Sequence, residues 1–234
     1  MTSSFLLWLV INLLLVGFAY LLGSIPPGYW AGKWLKGIDI REHGSGSTGA
    51  TNVLRTVGKL PALVVFVVDI GKAVAAIVLA RLLYPTVVQA LLPSGVDRLM
   101  ATVTTEQWLP WLSVLTGMAA LLGHSKSIWL NFTGGKSVAS GLGVLLTLDW
   151  RVGLLTLAVF GVVLAASRIV SLGSIVAAIA CCILMPLLNP TVAYWLFAVI
   201  GSSYVIYRHS SNIQRLLAGT EPRLGEKSVQ TPQS

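Results

Sequence analysis

Phe5-Leu-Leu-Trp-Leu-Val-Ile-Asn-Leu-Leu-Leu-Val-Gly-Phe-Ala-Tyr-Leu-Leu-Gly23 is an apolar run long enough, as a helix, to cross a bilayer. A hydrocarbon core of about 30 Å takes roughly 20 helical residues. Ser24-Ile-Pro-Pro-Gly28 ends the run, because two prolines cannot continue a helix. Working outward, further spans are expected over Leu60–Tyr84, Trp108–Gly123, Ser137–Leu148, Val152–Ala166, Ile169–Leu188 and Thr191–Tyr207, with residues 85–107 read as a loop. Trp108 and Trp111 open the third span as interfacial anchors do, and the fourth is too short to cross upright unaided. The expected fold is an all-α integral membrane protein of about seven transmembrane helices. Residues 1–215 form one transmembrane domain, and 216–234 form a polar, partly disordered tail. Composition agrees: of 234 residues, 55% are hydrophobic and 10% charged, against roughly 25% charged in a soluble domain. The neutral stretch Met1–Ser4 lacks the basic region of a cleaved signal, so the first run is read as a retained helix.

The net charge is +8. Seven spans place segments 24–59, 124–136, 167–168 and 208–234 on one side with twelve Lys and Arg, and leave Arg81, Arg98 and Arg151 on the other. The positive-inside rule then puts the C-terminus in the cytoplasm and the N-terminus outside. This excess charge suits anionic lipid or substrate. Without a soluble basic domain, nucleic acid is not an expected partner. Cys181 and Cys182 are adjacent within an apolar run and read as packing, with no metal site. No inverted pair of broken spans is evident, which argues against alternating access.

The chemistry lies in the polar segments. Asp39 to Arg55 holds a G-x-G-x-x-G at Gly44, Gly46 and Gly49. A membrane helix precedes it where a dinucleotide fold needs a strand, so no nicotinamide cofactor is expected. Glycines still let backbone N–H groups converge on an anion. Ser45, Ser47, Thr48, Thr51 and Asn52 add neutral donors, and Arg41 and Arg55 add charge suited to phosphate. Gly134-Gly135-Lys136-Ser137 repeats the recipe, without the spacing of a nucleotide-triphosphate loop. A helix starting near Ser137 would aim its N-terminal N–H groups there. Asp69 and Lys72, at i and i+3 within a span, read as a structural ion pair. Ser171 opens the sixth span beside Arg168, and Arg208-His209-Ser-Ser-Asn212-Ile-Gln-Arg215 leaves the seventh.

Together these segments resemble the acyl-phosphate:glycerol-3-phosphate acyltransferase family of bacterial membranes, PlsY. The likeness is carried by Gly23-Ser-Ile-Pro-Pro-Gly28, Asp39 to Arg55, Asp69 with Lys72, Gly123-His124 with Gly134-Gly135-Lys136, Arg168 to Ser171, and Arg208 to Glu221. Three positions depart from the family pattern: Ser47 stands for Asn, Lys126-Ser127 for Phe-Pro, and Ser137 for a common Gly. The resemblance implies a reaction at the bacterial inner membrane with no cofactor: acyl phosphate and sn-glycerol 3-phosphate give lysophosphatidic acid and phosphate. By motif, Ser45, Arg55, Lys136, His209 and Asn212 are the implied catalytic set, with Gly44, Gly46, Ser47, Gly49, Thr51, Asn52, Gly134, Gly135 and Ser171 around the phosphates. The family is thought to use a substrate phosphate as proton acceptor, and His209 as general base is the competing idea. Two readings from other classes are an organophosphate or anion permease and a non-catalytic membrane partner of lipid-synthesis enzymes.

Overall fold

The structure, a computed structural model, describes residues 2–91 and 95–225. These form helices α1 (Thr2–Ser24), α2 (Pro27–Lys36), α3 (Ala50–Thr56), α4 (Lys59–Leu91), α5 (Gly95–Ser125), α6 (Val138–Leu148), α7 (Trp150–Ser167), α8 (Val170–Leu188), α9 (Val192–Arg208) and α10 (Ser210–Leu217). Short 3-10 turns lie at Ile40–Glu42 and Ile128–Leu130. No strand is present among the described residues, only an isolated bridge between Ser127 and Thr133.

By length and composition, four stretches among the described residues can cross a membrane: Phe5–Lys36, Lys59–Ala90, Trp150–Ser167 and Val170–Leu188. α6 and α9 are apolar but shorter. The distribution of polarity is inverted relative to a water-soluble protein. Leu13 and Leu14 on α1 are 62% and 67% exposed, whereas Asp69, Lys72, His124, Ser137 and Ser140 are buried. Leucine outside and charge inside is the arrangement that lipid favours.

One expectation is corrected. Residues 85–91 and 95–107, read as loop, are helical and lengthen α4 and α5. Pro85 and Pro110 lie inside these helices; a proline is tolerated where neighbouring helices and local adjustment satisfy the freed carbonyl. The polar segment after the first span carries α2 and α3. The chain bends at Ile25-Pro26, and Pro27 then starts α2, where its missing N–H would be unpaired in any case. Trp30 and Trp34 stack on the exposed side of α2 at 5.5 Å. Residues 226–234 of the expected tail lie outside the described residues.

Small residues let the helices approach closely. A Cβ on Gly23 of α1 would lie 2.8 Å from the Ala120 carbonyl carbon, and one on Gly123 of α5 would lie 2.8 Å from the Ser24 amide nitrogen. Gly143 of α6 sits against the Ile70 carbonyl of α4 in the same way. At one end of the bundle, Arg81 of α4 donates to Ser113 Oγ (2.8 Å), the Thr147 carbonyl (3.0 Å) and Tyr194 Oη (3.0 Å), fastening four helices. At the other end the C-termini of α1, α5, α7 and α9 meet the N-termini of α4, α6 and α8, so their connecting segments share one face.

Gly23→Leu should therefore destabilise the fold by roughly 1–3 kcal/mol through overpacking. Gly17→Leu, on the same helix with open space around it, should leave the thermal unfolding midpoint in detergent nearly unchanged. Equal midpoints for the two variants would contradict the close α1–α5 contact.

Candidate active site

The first polar loop is organised around one buried carboxamide. Asn52 donates through Nδ2 to the carbonyls of Ile40 (3.1 Å), His43 (2.9 Å) and Ser47 (2.9 Å), and Oδ1 accepts from the Ser45 amide at 2.9 Å. Its polar atoms are spent inside the loop, so the expectation that Asn52 contacts phosphate is corrected. It is a loop organiser. Gly44, at φ +60°, has no room for a Cβ beside Asn52 Oδ1. Arg41 is likewise turned to structure: it pairs with Asp39 at 2.6 Å and donates to the Leu130 carbonyl and Thr133 Oγ1, tying the two polar loops together. That pairing, led by the side-chain bond from Arg41, holds the Asp39 carboxyl below its ordinary range.

The second loop is built by backbone contact with His124. The Gly135 amide donates to the His124 carbonyl at 3.1 Å. A Cβ on Gly135 would run into the His124 ring, and one on Gly134 would lie 3.0 Å from the Ser125 carbonyl carbon. Both glycines are thus required for close approach. His124 Nδ1 in turn faces Asp69 Oδ1 (3.2 Å) and Lys72 Nζ (3.1 Å). The expected ion pair is present, with Lys72 Nζ 2.8 Å from Asp69 Oδ1 and donating also to the Ile25 carbonyl at 2.7 Å. Ser137 adopts φ +61°, which accounts for the glycine common there in the family pattern, and its hydroxyl donates to the Leu121 carbonyl at 2.8 Å. α6 follows directly.

The third element is the break between α9 and α10. His209 is buried there and its Nδ1 donates to the Val205 carbonyl at 2.7 Å, which leaves Nε2 as the ring's acceptor. Burial pushes its pKa down to about 4, against the pull of the Val205 carbonyl. Lys136 Nζ donates to Asn212 Oδ1. Asn212 Nδ2 and Ser171 Oγ both donate to Glu221 Oε1, at 2.6 and 2.7 Å, and Arg215 Nε donates to Oε2 at 2.7 Å. Burial raises the Glu221 pKa, but these bonds outweigh it and hold the carboxyl below its usual range. Glu221 was not among the expected site residues; its one signal in the sequence was its place at the end of the last motif. Burial, reinforced by Arg215, lowers the Lys136 ammonium to about 8.

A cavity of about 360 Å³ collects these groups. Ser45, Ser47, Gly49, Thr51, Arg55, Lys136, Ser171, His209 and Asn212 all line it, as do Asn52, Asp69, His124 and Glu221. Gly46 and Gly134 border a shallower polar recess outside it, while Gly44 and Gly135 act through the loop backbone. An apolar pocket of about 90 Å³ shares Phe66, Val138, Phe160 and Ser174 with the polar cavity and reaches down to Thr156, Cys181 and Phe197. The site thus joins a cationic, donor-rich chamber to a narrow greasy one.

A family model described as glycerol-3-phosphate acyltransferase matches residues 13–219. The chain belongs to that family. Proteins named glycerol-3-phosphate acyltransferase are similar over nearly full length. That of Nostoc sp. is 57% identical, covering 97% of this chain and 98% of its own. That of Trichormus variabilis is 56% identical, covering 97% and 99%. The crystal structure of PlsY, an integral membrane glycerol 3-phosphate acyltransferase, is similar in its glycerol 3-phosphate form with a TM-score of 0.77 and 35% identity, covering 92% of this chain and 96% of that one. Its lysophosphatidic acid form gives 0.74 and 34%, covering 92% and 95%. Membership makes the chain a membrane acyltransferase and agrees with the resemblance read from its motifs.

Lys136 is charged below about pH 8 and loses its charge above it. Affinity for inorganic phosphate, measured by calorimetry, should therefore fall between about pH 7 and pH 9.5 in the wild type. It should stay nearly level in Lys136→Arg, whose guanidinium remains ionised. Parallel profiles would remove Lys136 from the anion site.

Proposed function

We propose that this protein transfers a fatty acyl group from an acyl phosphate to the 1-hydroxyl of sn-glycerol 3-phosphate, releasing lysophosphatidic acid and phosphate. The observation that carries the reading is the union of the two chambers: Arg55, Lys136 and the hydroxyls of Ser45, Ser47 and Thr51 line a cavity whose wall continues into the apolar pocket. Both substrates bring phosphate and the donor also brings a hydrocarbon chain, so one site must offer cations and grease side by side. The names and bound forms of the similar proteins support glycerol 3-phosphate as the acceptor.

In this reading, Arg55 and Lys136 hold the two phosphates within reach of each other and neutralise their mutual repulsion. Asn212 and Glu221 fix the direction of the lysine, Ser171 and Arg215 fix Glu221, and Asn52 shapes the loop that presents Ser45 and Ser47. The glycerol oxygen forms the new C–O bond to the acyl carbon, and the bond from that carbon to the phosphate oxygen breaks. His209, with its pKa lowered to about 4, is neutral at pH 7 and a weak base. It can accept the hydroxyl hydrogen bond through Nε2, while the proton passes to a substrate phosphate. The protein then contributes orientation and electrostatic stabilisation of the developing charge. The chain acts as one domain of seven spans in the bacterial inner membrane, with its N-terminus outside and the cavity open to the cytoplasm; the cluster of basic segments at the cavity end supports that orientation.

Purified protein should turn over glycerol 3-phosphate with acyl phosphate and not with acyl-CoA; the opposite donor preference would refute the reaction. Arg55→Ala and Lys136→Ala should each lower kcat/KM by about 30- to 150-fold, the loss of one charge-assisted bond of roughly 2–3 kcal/mol. His209→Gln should reduce kcat yet keep the shape of the pH–rate profile above about pH 5. Loss of an acid limb near neutrality in that variant would instead make His209 the base.

A further inference from the structure

Between Ser127 and Thr133 the chain closes into a compact turn. The Phe132 amide donates to the Ser127 carbonyl at 2.8 Å, and the Ser127 amide donates to the Thr133 carbonyl at 3.3 Å. Of the large apolar side chains in this turn, Leu130 alone is buried; Ile128, Trp129 and Phe132 are 44%, 62% and 57% exposed. Single exposed apolar residues are ordinary, but a contiguous group marks a surface that something else covers. The backbone points the same way. Asn131 and Phe132 hold φ at +53° and +57°. Asparagine tolerates the left-handed region, whereas a bulky phenylalanine there is strained. That strain presents an aromatic ring more than half of whose surface meets no protein.

The position of the turn indicates what covers it. Ser127 Oγ donates to the Ser24 carbonyl at 2.6 Å and Tyr20 Oη to the Lys126 carbonyl at 2.7 Å, which ties the turn to the last turn of α1. Leu21 of α1 and Leu122 of α5 are exposed at that level, so the apolar outer surface of the bundle runs on toward Ile128. On the other side, Arg41 lies over the Tyr29 ring of α2 at 5.3 Å and donates to the Leu130 carbonyl, which makes α2 with its stacked Trp30 and Trp34 a neighbour of the turn. Exposed Lys33, Lys36 and Lys126 stand among these rings. Aromatic rings and lysines at the end of a span are the composition of a membrane–water boundary.

We propose that the Ser127–Thr133 turn is a lipid anchor, with Ile128, Trp129 and Phe132 inserted between the headgroups and the upper acyl chains of the bilayer. Burying their apolar surface offsets the backbone strain at Phe132. None of the three lines the polar or the apolar chamber, so the anchor acts outside the reaction site. It holds at the membrane surface the turn that leads into Gly134-Gly135-Lys136.

The test is tryptophan fluorescence of the full chain in phosphatidylglycerol vesicles. Subtracting the spectrum of Trp129→Phe from that of the wild type isolates the emission of Trp129. This emission should be strongly quenched by phosphatidylglycerol brominated high on its acyl chain and little affected by acrylamide in the water. Phe132→Trp should add emission that behaves in the same way, and it carries the test where W129F fails to fold. Emission quenched by acrylamide and not by the brominated lipid would put the turn in water and overturn the proposal. Emission quenched by neither would overturn it as well, and if acrylamide then gains access when the protein is diluted in lipid, the surface belongs to a second copy of the chain.

Discussion

A carboxylate and an ammonium one turn apart on an apolar helix stay charged only if the protein encloses them, and the site end of this molecule is built around that enclosure. Lys72 reaches the Ile25 carbonyl at the bend between α1 and α2. Asp69 reaches His124 at the end of α5, and its own carbonyl accepts from Ser140 of α6. Three segments are thereby held to one turn of α4. An isolated charge in hydrocarbon is strongly unfavourable, so each member of the pair depends on the other and on its neighbours. This coupling sets the level at which α6 begins, and with it the position of Lys136.

From that level the loops follow by close packing. His124 lies against Gly135, and Arg208 of α9 donates to the Gly135 carbonyl at 3.0 Å. The lysine that follows is therefore fixed from both sides by helix ends, although it sits in irregular chain. Non-helical backbone near a membrane needs its polar groups satisfied by protein. Here the two glycine-rich loops satisfy each other through Arg41, Leu130 and Thr133, and the first is further closed on itself by Asn52. Glycine serves two different purposes in these loops: room for a neighbour at Gly134 and Gly135, and a left-handed backbone at Gly46.

The apolar runs and the clustering of basic segments were legible because hydropathy reports solvent directly. Ser45, Arg55, Lys136, His209 and Asn212 could be singled out as well, since their motifs occur in order along the chain. The limits of α4 and α5 were not legible: two prolines and a patch of polar residues around 93–107 look like a loop until neighbouring helices are known to support them. Asn52 looked like a ligand donor because a carboxamide in a serine- and glycine-rich loop reads the same whether it faces an anion or the backbone. Glu221 was hidden for a topological reason. It lies in a polar tail beyond α10, and Gly219, at φ +70°, reverses the chain to bring it beneath Asn212. No periodicity encodes that return.

The return of Glu221 also bears on how a strongly cationic cavity is held together. Arg55, Lys59, Lys136, Arg208 and Arg215 cluster at this end, and burial, reinforced by repulsion from Arg215, Arg208 and Arg55, brings Lys136 to about 8. Without a counter-charge, the mutual repulsion of such a cluster would disfavour its folding. Glu221 offsets part of this through Arg215 and, by way of Asn212, polarises the lysine without touching it. Ser171 and Asn212 both donate to its Oε1 and fix the carboxylate in place. The negative charge of Glu221 is thus taken up by donors of the chain itself, while the rest of the cavity wall stays rich in donors.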